Sequence, residues 1–225
     1  LIGKLAQARS QLRALIEHLP KDAWLGPRAE HLNPPLWEVG HIVWFQERWC
    51  LRERADGSCA ASLLAGADAL YDSSNVPHDV RWDLPLLQPA AVDAYAAQVT
   101  EAVTARLRDM FDEDSAYFAE LSLYHELMHI EAWWMAFQYL GYAPPAQVVF
   151  ATGSPAQRLA FAAGEAELGS GPDSGFVFDN EKWRHTVPVA AFDIDANLVS
   201  ETDFAVFVDA GGYAMRSLWS GVGRA

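Results

Sequence analysis

Cysteine and cationic residues are scarce in this chain of 225 residues. Two cysteines, Cys50 and Cys59, cannot build the disulfide framework of a small secreted domain. They read as reduced thiols, and the expected compartment is the cytoplasm. Lys and Arg number 16 against 30 Asp and Glu, a formal net charge of −14. Nucleic-acid binding needs clustered cations to neutralise phosphates, so nucleic acid is not an expected partner. An anionic membrane surface is excluded on the same ground. Long apolar runs are lacking too. No stretch approaches the roughly 20 apolar residues of a membrane span. The amphipathic N-terminus has no signal-peptide core. There is no internal repeat and no low-complexity tract beyond alanine richness.

Core-forming residues are plentiful. Half of the chain is apolar (51%) and nine residues are tryptophan. The length suits one large or two modest domains. Four segments carry helical periodicity. Ile2 to Leu19 places Ile2, Leu5, Leu12, Leu15, Ile16 and Leu19 on one face, and Pro20 stops it. Leu36 to about Ala55 follows Pro34-Pro35, which suits a helix start. Ala90 to Met110 begins after Pro89, and Asp114 to Leu140 ends before Gly141 and Pro144-Pro145. Helices of this length separated by long loops predict a four-helix bundle with ligands projecting inward. The connection from Cys59 to Pro89 is long and aromatic, which points to an ordered functional loop.

After Pro145 the texture changes. Glycines cluster from Gly164 to Gly175. Short apolar runs follow, Phe176-Val177-Phe178 and Val187 to Ile194, which read as strands. Thr202 to Asp209 reads as a short helix capped by Ser200. The expected fold class is α+β, with domains at 1–145 and 146–225. The chain starts at Leu1 and stops at Gly223-Arg224-Ala225, and it is expected to be a piece of a longer protein.

The segment from Tyr124 to Glu131 carries the chemistry. His125 and His129 stand four apart, so a helix puts both imidazoles on one face, able to share a metal ion. Such a pair is common by chance. Its weight comes from the apolar flanks Leu121, Leu123, Leu127, Met128, Ile130, Trp133 and Trp134, because buried imidazoles need partners. His41 lies in a second apolar helix and supplies a third imidazole. Three neutral imidazoles leave open positions on a metal, which means chemistry rather than a structural clip, and suit Zn, Ni, Cu or Fe. Glu131 could be a ligand, an acceptor that orients an imidazole, or a solvated helix charge, and spacing does not choose. Glu126 is ambiguous in the same way and reads more as a solvated charge. The pattern is not the His-Glu-x-x-His of zinc proteases, because Glu-Leu-Met separates the histidines.

These motifs resemble a known family. Gly40-His41-Ile42-Val43-Trp44-Phe45 is similar to Gly-His-x-x-Trp-Phe, and His125, His129 and Glu131 match His-x3-His-x-Glu. Both belong to the DinB-type bundle of the iron-dependent sulfoxide synthases of ergothioneine biosynthesis, which residues 1–142 resemble. The stretch from Phe161 to Tyr213, with Phe176 to Glu181 and Gly211-Gly212-Tyr213, looks like the opening of a formylglycine-generating-enzyme-like (sulfatase-modifying factor, C-type-lectin-like) domain. The resemblance implies that His41, His125 and His129 hold Fe(II) and that Glu131 supports rather than ligates. It implies an O2-dependent oxidoreductase that joins a sulfur donor to C2 of the imidazole of hercynine. A selenoneine synthase, using a selenium donor, is the close variant. Arg81 is the candidate clamp for a donor carboxylate, with His78 beside it. The alternative for Arg81 is a surface pair with Asp79 or Asp83, and His78 reads more as structural. The family's acidic tyrosine and its grip on hercynine are expected beyond residue 225. Two other classes remain: a DinB-type zinc or nickel thiol transferase, and a non-catalytic metal-binding module.

Overall fold

The computed structural model describes residues 1–20, 22–54, 56–143 and 157–224. The chain divides into two compact units, Leu1–Gln147 and Val148–Ala225. The expected boundary between 145 and 146 falls outside the described residues, as does the Pro144-Pro145 pair.

In the first unit four long helices contribute to one hydrophobic core. Helix α1 (Ile2–Glu17) buries Leu5, Ala8, Leu12 and Leu15 against α5. Helix α2 (Pro35–Glu47) starts on its prolines and is apolar and buried almost all round, so it forms the centre of the unit. Helix α4 (Pro89–Asp109) turns Val92, Tyr95, Ala96, Val99, Val103 and Leu107 inward against α2. Helix α5 (Glu113–Leu140) is capped by Asp112, whose side chain accepts from the Ser115 amide. It ends at Gly141 in the left-handed conformation that glycine adopts freely.

Two sequence expectations need correction here. Helix α2 was expected to run to about Ala55, but from Arg48 to Arg52 it widens into a π turn. The chain then leaves as extended backbone at Glu53, which bridges to Cys59. Arg52 holds this exit: its guanidinium donates to both carboxylate oxygens of Asp68 at 2.7 and 2.8 Å. The long connection also contains a helix that the pattern missed, α3 (Ala67–Tyr71), too short for periodicity to show. Asp68 accepts from the Trp44 indole as well, which fixes α3 against α2. Tyr71 is fully buried and lies over Gly40. A Cβ at residue 40 would sit 2.2 Å from the tyrosine ring, so only glycine allows this approach.

Buried polar groups in this unit are paired over long sequence distances. Arg9 on α1 forms an ion pair with Glu126 on α5 at 2.7 Å, and Glu126 is closed to solvent. The expectation of a solvated Glu126 is therefore corrected; packing of α1 on α5 buries it, and Arg9 neutralises it. Glu47 is also closed off and accepts from Tyr95, from Ser62 at 2.7 Å and from the Leu63 amide at 2.5 Å.

The second unit pairs β1 (Arg158–Phe161) with β4 (Phe192–Asp195) and β2 (Gly164–Leu168) with β3 (His185–Val189), both antiparallel. Helix α6 (Glu201–Asp209) follows Ser200, whose hydroxyl accepts from the Asp203 amide as expected of the cap. Strand β2 occupies part of the glycine-rich run, where no strand was expected. Phe176-Val177-Phe178 is not a strand. Gly175 stands at φ 73° and the Phe178 amide donates to the Glu181 side chain, so this segment turns locally instead of joining a ladder. Among the described residues no helix is long and apolar enough to cross a membrane.

Candidate metal centre

Helices α2 and α5 pack together and bring the three predicted histidines to one point. One nitrogen from each of His41, His125 and His129 lies within 4.8 Å of the others. The ring centroids are 4.6 to 5.3 Å apart. The Nε2 atoms of His125 and His129 approach to 3.2 Å.

Each ring is held from behind. His41 Nδ1 is 2.8 Å from the Tyr71 carbonyl. A carbonyl only accepts, so Nδ1 carries the proton and the Nε2 lone pair is free for a ligand. His129 Nδ1 is 2.7 Å from a carboxylate oxygen of Glu38, and the same reasoning gives it a free Nε2. The His125 ring stacks on Phe45 at 3.7 Å, and its Nδ1 is buried without a hydrogen-bond partner. His41 stacks on Trp37 at 4.8 Å.

Burial pushes the His41 imidazole down to about 4, with the hydrogen bond to the Tyr71 carbonyl pulling the other way. Burial, then the neighbouring imidazoles, push His125 down to about 2. Both rings are neutral at pH 7, the state in which nitrogen binds a metal. Three converging imidazoles, two of them oriented through an Nδ1 hydrogen bond, fit a divalent transition metal. Glu38 and His129 also border a cavity of about 140 Å³ walled by Trp133, Phe137 and Leu140.

Arg81 and His78 lie in the long connection. The Arg81 guanidinium stacks on Trp37 at 3.8 Å and donates to the Asn33 side chain at 2.7 Å and the Val76 carbonyl at 3.2 Å. Its Nε is buried with no partner. The alternative pair with Asp83 is not formed; Asp83 binds Arg28. His78 Nε2 donates to the Leu32 carbonyl at 2.6 Å, which ties the two loops together. The supporting contact expected of Glu131 is not made. Glu131 is exposed on α5, and among the described residues it has no hydrogen bond to the three imidazoles. It stands two residues past His129, about 200° around the helix, on the other face.

The DinB superfamily model matches residues 4–132, more than half of the chain and all three histidines. The chain belongs to the DinB superfamily. Its similarity to curated relatives runs further than that domain. The hercynine oxygenase of Mycolicibacterium thermoresistibile is 32% identical over 100% of this chain and 51% of its own length. Those of Mycolicibacterium smegmatis and Mycobacterium tuberculosis are each 30% identical, over 98% and 96% of this chain and 52% of their own length. The relationship that the motifs indicated thus extends past the DinB domain into the second unit. The chain spans about half the length of the curated relatives it matches.

This DinB domain contains site residues that the sequence reading passed over. Glu38 was seen only as part of an apolar helix. Its signal was an acidic residue one turn before His41 on a helix with no wet face. Tyr71 contributes through its carbonyl, a role that no side-chain pattern announces.

Proposed function

We propose that this chain is the N-terminal part of a non-haem Fe(II)- and O2-dependent enzyme that forms a carbon–sulfur or carbon–selenium bond at C2 of the imidazole of hercynine. The observation that carries the reading is the cluster of three imidazoles, one buried and two half-buried, within 4.8 Å of one another, in a chain similar over its whole length to hercynine oxygenases. Residues 1–145 would be a DinB-like four-helix bundle. Residues 146–225 would open a formylglycine-generating-enzyme-like domain. The two free thiols, Cys50 and Cys59, accord with a cytoplasmic site of action.

His41, His125 and His129 would hold the iron. Iron is preferred because an oxygenase needs a metal that exchanges electrons, and zinc has no redox chemistry. Bound Fe(II) supplies O2 activation and lowers the pKa of a coordinated thiol. Three protein ligands leave room for substrates on the metal. Trp37 stacks on His41 and Phe45 on His125, which covers one face of each ring. Arg81, pre-oriented by Trp37 and Asn33, would take a donor carboxylate through its remaining donors. His78 holds that loop in place and would contribute to the donor pocket. In the sulfur reaction the C2–H and S–H bonds break, and C2–S and S=O bonds form. O2 accepts four electrons; one oxygen goes to the sulfoxide and one to water. The selenium variant differs in the donor atom.

The test uses the complete protein that carries this chain, loaded with Fe(II) under argon. It is given hercynine and O2 with cysteine, γ-glutamylcysteine or a selenosugar in separate mixtures. The expected result is O2 uptake and a product mass showing a new C–S or C–Se bond in one mixture. Thiol transfer by the zinc or nickel form without O2 would overturn the reading in favour of a transferase. Bound iron with no uptake in any mixture would also contradict it.

A further inference from the structure

We infer that Glu38 is the positioning carboxylate of the metal centre: it sets the tautomer and the donor strength of His129. The inference rests on the metal-binding part of the proposed function and not on the identity of the substrate.

Glu38 lies on α2, one turn before His41, and is 7% exposed. Its oxygen accepts the Nδ1 proton of His129, which comes from α5, at 2.7 Å. The contact spans 91 positions in sequence and joins the two helices that provide all three imidazoles. It does two things. It forces the proton onto Nδ1, so the Nε2 lone pair points to the shared centre. It also makes that nitrogen more basic, because an anion draws the Nδ1 proton away from the ring.

The three histidines are not equivalent in this respect. His41 leans on a neutral carbonyl, and His125 Nδ1 has no partner. Only His129 is backed by a charge. The arrangement also answers a question about Glu38 itself. A buried carboxylate is unfavourable unless something positive faces it. Among the described residues the one ion pair of Glu38 within contact distance is with His129, whose ring must stay neutral to ligate, and the Arg81 guanidinium acts on it from further away. A divalent cation on Nε2 would be felt through the ring and would balance the carboxylate. Glu131 offers none of this, because it stands in solvent on the opposite side of α5.

The experiment compares Glu38→Ala, Glu38→Gln and Glu131→Gln with the wild type in the complete protein. The first measurement is on metal-free protein: long-range ¹H–¹⁵N NMR of the histidine rings. The wild type should show His129 protonated on Nδ1. Glu38→Ala should lose that preference, whereas Glu38→Gln should keep it, because the amide oxygen still accepts. The second measurement is anaerobic titration with Fe(II), and with Co(II) as a spectroscopic probe. Glu38→Ala should weaken metal binding about 10–100-fold and change the Co(II) spectrum. Glu38→Gln should lose less, and Glu131→Gln should match the wild type. Equal losses in Glu131→Gln and Glu38→Ala would overturn the inference. So would an unchanged His129 tautomer in Glu38→Ala. Should Glu38→Ala not fold, Glu38→Gln decides: wild-type metal affinity without the charge contradicts the proposal. The NMR result can fail while iron binding and turnover stand, so the two readings fail separately.

Discussion

In the first unit Leu12, Ile42, Val43 and Val99 are closed to solvent, whereas in the second Leu198, Val199, Val206 and Tyr213 stand largely in it. Among the described residues of the second unit only Val177 and Gly212 are buried. The polar groups follow the same division. The first unit buries Glu38, His41, Glu47 and Glu126, and each has a partner. The ion pairs of the second, Arg158 with Asp193 and Lys182 with Asp179, have exposed acids. Chemistry that needs neutral, oriented imidazoles requires a dry frame, and only the first unit provides one. The exposed pairs of the second contribute little to stability, since solvent screens them.

The largest expected break in this contrast is Glu126→Ala. It leaves the Arg9 guanidinium buried without its anion, and the first unit should lose about 3–5 kcal/mol in urea unfolding. Asp193→Ala in the second unit should change stability by less than about 1 kcal/mol. Similar losses for both would mean that Glu126 is as wet as Asp193.

A smaller effect is expected at Gly40. Gly40→Ala places a Cβ 2.2 Å from the Tyr71 ring, and a core that cannot expand loses about 1–3 kcal/mol. The displaced Tyr71 carbonyl should also release His41, so metal affinity should fall together with stability. Gly164→Ala in strand β2 meets nothing within 4 Å and should change stability by no more than about 0.5 kcal/mol. Thermal unfolding of the two variants side by side checks the difference.

The smallest effect concerns pH. Hydrogen bonds from Arg52 hold the Asp68 carboxylate down at about 2, below its ordinary 3.8. The folded chain therefore binds this proton less readily than the unfolded one. Its contribution is complete above pH 3.8 and is lost as the pH falls toward 2. Asp68 is about half exposed, so the contribution is screened and modest. Asp68→Asn should flatten the acid limb of the stability curve over that window; an unchanged limb would contradict the assignment.

What the sequence made legible was local. The His125–His129 spacing, the prolines that open α2 and α4, and Ser200 before α6 each act over a few residues. What it hid depends on distant partners. Glu126 looked solvated because Arg9, its partner, is 117 positions away. Glu131 was given a supporting role through the family resemblance, and helix geometry turns it to the opposite side from His129, whereas Glu38 reaches His129 from 91 positions away. The π turn spans Arg48–Arg52 and ends at the residue that pairs with Asp68, which lies in a helix too short to see. Phe176-Val177-Phe178 has strand composition, but a glycine turn and a side-chain contact from Glu181 decide its path.

The most direct test of the account is anaerobic Fe(II) titration of the complete protein and its His41→Ala, His125→Ala and His129→Ala variants. The account predicts one iron per chain in the wild type and loss of tight binding in all three variants. Tight stoichiometric iron in any one of them, or none in the wild type, would contradict a three-histidine metal centre.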